Sequence, residues 1–124
     1  MLLSSASILV LEDQIEICDL IQMALAHESK IVFVANTLEE AKKIVEREKI
    51  DLAIVDSGLP DGNPFTFIKK LLNNHCRVIS MSGNFETNEL IAQLSLPQLE
   101  KPFRLKTLLD ITQKTLSDPV PILL

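Results

Sequence analysis

Four short clusters along the chain carry groups able to act together: Glu12-Asp13, Asp56, Ser82 and Lys101-Pro102. Each acid cluster directly follows an apolar, strand-like run. Glu12-Asp13 follows Ile8-Leu9-Val10-Leu11, Asp56 follows Leu52-Ala53-Ile54-Val55, and Ser82 ends the run Val78-Ile79-Ser80-Met81. In a parallel α/β sheet the carboxyl ends of the strands share one edge, where ligands bind. There the clusters would meet as carboxylates, a hydroxyl and an ammonium. Two like charges ~4 Å apart repel by ~4 kcal/mol at an effective dielectric of 20. A hard divalent cation relieves that repulsion, and Mg2+ fits because it takes few carboxylates and keeps exchangeable waters. A lysine and a metal beside a nucleophilic carboxylate suit phosphoryl transfer to Asp, with an acyl phosphate as product. Taken singly, each cluster also has a plainer reading: acids that cap a helix, a turn aspartate, a loop serine, a solvated lysine.

The elements that must position these groups alternate along the chain. Strand-like runs span Ser7–Leu11, Ile31–Val34, Leu52–Val55 and Arg77–Met81, with a short fifth over Leu96–Leu99 broken by Pro97. Helical periodicity spans Gln14–His27, where Ile17, Leu20, Ile21, Ala24 and Leu25 share a face and Cys18 reads as a small apolar residue. Thr37-Leu38-Glu39-Glu40 is a capping box opening a helix that buries Leu38, Ala41, Ile44 and Val45. Pro60-Asp61-Gly62-Asn63 is turn chemistry, and Pro64 fits the first turn of a helix running to about Asn74. A weak helix over Thr87–Leu94 and a final one over Arg104–Leu116, with Leu105, Leu108, Leu109, Thr112 and Leu116 inward, complete the pattern. The order (βα)5 with right-handed crossovers implies a doubly wound, five-stranded parallel sheet between two helical layers.

Composition agrees. The chain has 124 residues, 47% of them apolar, with five Phe and neither Trp nor Tyr, so a Leu, Ile, Val and Ala core is expected. One domain over residues 1–118 and an apolar tail over 119–124, beginning at Pro119, are expected. A net charge of −5 argues against direct nucleic-acid binding. Two cysteines are too few for a disulfide framework, and a reducing cytoplasm is the expected setting. No membrane-spanning run or signal peptide is read in the sequence.

The run Ile8–Asp13, the run Asp51-Leu52-Ala53-Ile54-Val55-Asp56-Ser57-Gly58-Leu59-Pro60-Asp61-Gly62, the run Val78–Gly83, and Lys101-Pro102-Phe103 together resemble the receiver domain of two-component response regulators. The resemblance covers Ser7 to about Leu116 and implies a flavodoxin-like, CheY-like fold. It implies Asp56 as phosphoacceptor, Asp13 as a direct Mg2+ ligand, Glu12 as a ligand through water, and the Gly58 carbonyl as a further ligand. Ser82 and Lys101 match the switch hydroxyl and the lysine of the site, and a cis bond before Pro102 is implied. A histidine kinase or phosphotransfer protein would donate the phosphoryl group, and a downstream protein would read the change. With no room for an output domain, the module is expected to act alone or within a larger protein. It is not expected to be an enzyme in the ordinary sense.

Two departures stand out. Gln98 occupies the place, three residues before the lysine, where the family carries an aromatic switch residue. The stretch from Ser82 to Lys101 is also short, and its ring, Phe85, lies elsewhere. These features weigh for the alternative of a receiver-like interaction module with vestigial phosphorylation, and the full set of acids, Ser82 and Lys101 weighs against it. A phosphatase of the haloacid dehalogenase type would need a second acid where Gly58 stands. A dinucleotide site would need a glycine-rich first turn where Glu12-Asp13-Gln14 stands.

Overall fold

The computed structural model describes residues 1–83 and 88–118. Five strands form one parallel sheet: β1 (Ser7–Leu11), β2 (Ile31–Ala35), β3 (Leu52–Asp56), β4 (Arg77–Ser82) and β5 (Gln98–Glu100), in the order β2-β1-β3-β4-β5. Helices α1 (Ile15–Ala26), α2 (Leu38–Arg47), α3 (Phe65–Asn73), α4 (Glu89–Ala92) and α5 (Leu105–Ser117) connect and follow them. A short 3-10 turn over Leu3–Ser5 precedes β1 and was not expected from the sequence. The expected doubly wound architecture is present.

Each central strand is apolar on both sides because each side meets a helix layer. Alternation divides the core in two. Ile8, Val10, Leu52, Ile54, Ile79 and Met81 pack with Cys18, Ile21 and Leu25 of α1 and Leu108 and Leu116 of α5. Leu9, Leu11, Ala53 and Val55 pack with Leu38, Ala41 and Ile44 of α2, Phe67, Ile68 and Leu71 of α3, and Ile91 of α4. Strand register aligns Leu11 with Val55 and Asp56 with Met81, so the strand ends rise together at one edge.

Several boundaries and faces are corrected. The inward stripe of α1 runs through Cys18, Ile21 and Leu25, and Leu20 is 36% exposed. In α5, Leu105 is 41% exposed, and Thr115 joins Leu108, Thr112 and Leu116 inside. Leu105 begins the helix, one turn ahead of the first buried residue. Val45 is only partly buried. Pro64 is the N-cap of α3 and not its first turn. The fifth strand begins after Pro97, which offers its carbonyl to the Ser80 amide. Helix α4 is four residues long. Thr87, Phe85 and the tail 119–124 lie outside the described residues. No helix among the described residues is long and apolar enough to cross a membrane.

Candidate phosphoryl site

Glu12 and Asp13 leave the end of β1, Asp56 ends β3, Ser82 ends β4 and Lys101 follows β5. One carboxylate oxygen from each of Glu12, Asp13 and Asp56 lies within 4.8 Å of the others. The capping alternative for the first pair is not realised: α1 has Gln14 as its N-cap and no side-chain cap bond. Glu12 is instead fully buried, and Asp56 is 5% exposed.

Lys101 reaches across the sheet edge between two acids. Its Nζ donates to Glu12 Oε1 and stands 3.4 Å from Asp56 Oδ2. Its backbone amide donates to the Ser82 carbonyl at 2.7 Å, tying the lysine loop to β4. The Lys101-Pro102 peptide is cis, as the resemblance implied. The other Asp56 oxygen, Oδ1, accepts from the Gly58 amide at 3.0 Å. Ser82 lies one residue beyond Met81, the register partner of Asp56, and shares the edge without an acid contact among the described bonds. Gly58 meets the acids through its N–H.

The three charged groups shift one another. Burial, and then the adjoining Asp56 carboxylate, push the Glu12 carboxyl from 4.5 up to about 8, against the pull of Lys101. Burial also opposes charge on Asp56. The adjoining Glu12 carboxyl, the Gly58 amide and the Lys101 ammonium outweigh it and hold Asp56 below its ordinary value. For Lys101, burial lowers the pKa, but Glu12 and Asp56 more than offset it and raise it overall. Glu12 Oε2 is buried and has no hydrogen-bond partner. An orphaned buried carboxylate oxygen beside two further carboxylates is a donor set that a small hard cation satisfies.

The sequence reading left out Asn36 and Asn88 and took Asn63 only as turn chemistry. Asn36, just past β2, donates from Nδ2 to the Glu12 carbonyl at 3.0 Å and lies 3.4 Å from Cys18 Sγ. The Cys18 thiol donates to the same carbonyl at 3.1 Å. Burial, and then Glu12, push that thiol up to about 11, so it stays a protonated donor. On the other side, Asn63 Oδ1 accepts from the Phe65 amide at 3.0 Å and from Asn88 Nδ2 at 2.9 Å. Asn88 Oδ1 in turn caps Leu90 and Ile91. An asparagine beside a helix start is the sequence signal, but it is common to many helices.

The family model of the response regulator receiver domain matches residues 8–113. The regulatory protein VanR of Enterococcus faecium is 33% identical over 104 residues, covering 81% of this chain and 45% of its own length. The KDP operon transcriptional regulatory protein KdpE of Escherichia coli strain K12 is 35% identical over 101 residues, covering 78% of this chain and 45% of its own. The chain thus spans about half the length of these curated relatives. Among solved structures, a CheY-like receiver domain protein from Methanospirillum hungatei superposes with a TM-score of 0.80 at 24% identity, covering 91% of this chain and 94% of its own. The chemotaxis response regulator CheY4 of Vibrio cholerae does so with a TM-score of 0.80 at 21% identity, covering 90% and 98%. With four motifs delivered to one sheet edge and a family match over almost all of the fold, the chain belongs to the response regulator receiver domains.

Proposed function

We propose that Asp56 accepts a phosphoryl group from a histidine kinase or phosphotransfer protein, and that the module signals by changing its contacts with another protein. The observation that carries this reading is the bridge of Lys101 between buried Glu12 and Asp56 at the meeting point of separate strand ends. Glu12, Asp13 and Asp56, with the Gly58 carbonyl, would hold Mg2+, which supplies charge neutralisation for the phosphoryl oxygens when bound. In this reading Asp13 binds directly and Glu12 through water. An ionised Asp56 oxygen attacks phosphorus, and the donor imidazole leaves with the electron pair of the broken P–N bond. Lys101 compensates charge on the new acyl phosphate, and the Ser82 hydroxyl donates to one of its oxygens. Beside Lys101, an open groove of about 290 Å3 lined by Gln14, Ile17, Leu20, Pro102 and Phe103 offers a donor protein apolar surface. The receiver would occupy residues 1–118, with 119–124 as a tail.

The test is intact-mass analysis after exposure to acetyl phosphate or phosphoramidate, with Mg2+ or with chelator. Wild type should gain one phosphoryl increment only with Mg2+, and Asp56→Asn should gain none. Labelling of that variant to the wild-type extent would refute the assignment.

A further inference from the structure

We propose that Asn36 and Cys18 are positioning residues for the Glu12-Asp13 acid pair, acting through the Glu12 carbonyl. The ladder between β1 and β2 ends one residue past the strand, where the Glu12 amide donates to the Ala35 carbonyl at 3.1 Å. Beyond that bond the sheet no longer dictates the orientation of the chain. The next peptide joins Glu12 to Asp13, so its orientation sets the direction of one acid relative to the other.

Its carbonyl is held on two sides. Asn36 Nδ2 donates at 3.0 Å and the Cys18 thiol at 3.1 Å. Glu12 is fully buried, so water is a poor substitute for either donor. Asn36 is itself anchored, because its backbone amide donates to Glu40 Oε2 at 3.2 Å. Glu40 stands in the first turn of α2, where the Thr37 hydroxyl accepts from the Glu40 amide at 3.1 Å. The start of α2 and the first turns of α1 thus clamp one carbonyl. Neither Asn36 nor Cys18 touches a reacting atom. Their effect passes through the direction of the acids, as outer partners orient the ligands of metal sites.

The inference rests on the acid pair being the cation site, and the experiment separates the two. Mg2+ is titrated into the full chain by calorimetry, and the Glu12 carbonyl and Asp13 amide resonances are recorded without metal. Asn36→Ala should weaken Mg2+ binding about tenfold. Cys18→Ala should lose a smaller part, and Cys18→Ser, which keeps a donor, should regain it. Leu116→Ala, which cuts into the core near the end of α5 and away from the clamp, should lower thermal stability and leave Mg2+ affinity unchanged. Folded Asn36→Ala and Cys18→Ala proteins with wild-type affinity would overturn the positioning role. If Asn36→Ala does not fold, the Cys18→Ala and Cys18→Ser pair decides by the same criterion. Absence of Mg2+ binding by wild type would instead sink the cation site. The metal-free resonances then decide the positioning role, which fails if they do not move in the variants.

Discussion

Glu12 is the residue whose environment most changes its chemistry. Its folded pKa, about 8, stands above the ordinary 4.5, so the folded chain holds a proton that the unfolded chain releases. The stability contributed by that proton is complete below about pH 4.5 and is lost as pH rises to about 8. Denaturant titrations in chelator should therefore show metal-free wild type losing stability across that window relative to Glu12→Gln. Parallel profiles for the two proteins would show that Glu12 titrates normally. Lys101 belongs to the same cluster but serves a later step. Lys101→Ala should still accept some phosphoryl group while muting the chemical-shift response that follows it. A wild-type-sized response would remove Lys101 from the coupling. The acids were legible because each follows an apolar run that ends as a strand, and Lys101 because it follows the short last strand and precedes Pro102. Asn36 was not, since only the fold brings its amide, 24 residues along the chain, to the Glu12 carbonyl.

Among the elements, legibility followed burial. The four longer strands stood out because both faces are apolar, whereas β5 is three residues beside a proline. Leu20 and Leu105 were assigned inward because periodicity identifies an apolar stripe without fixing its centre, and helix packing chose a line one step away. The Thr37 cap of α2 was read correctly, but Glu40 reaches back one residue further than a capping box does, to the Asn36 backbone amide. Thr37→Ala should cost about 1 kcal/mol in thermal or urea unfolding, followed by circular dichroism since the chain lacks Trp and Tyr. Element β5 also carries the clearest family departure, exposed Gln98. An amide cannot fill an apolar space as a ring does without losing its water or its partners. A phosphoryl analogue should therefore shift resonances around Asp56 and Ser82 strongly and those of β5 and α5 weakly. Equal shifts in both regions would mean another side chain has taken the ring's part.

For the whole molecule, two apolar layers meet at a sheet buried on both faces, and stability resides there. Ile54, fully buried at the centre of β3, should cost ~2–5 kcal/mol as Ile54→Ala. Because Ile54 is two residues from Asp56, such a variant should also loosen the site, measurable as weaker Mg2+ binding. The bond between Asn63 and Asn88 has a consequence on this scale. One side-chain oxygen starts α3 and holds Asn88, whose own oxygen starts α4, so two helices of one layer share an origin. Helix ends are where native proteins open first, and linked ends open as one unit. Amide hydrogen exchange should then report Phe65, Leu90 and Ile91 with matching opening free energies. In Asn63→Ala the protection lost at the start of α3 should be lost at α4 as well, making these two helix starts a single breathing segment.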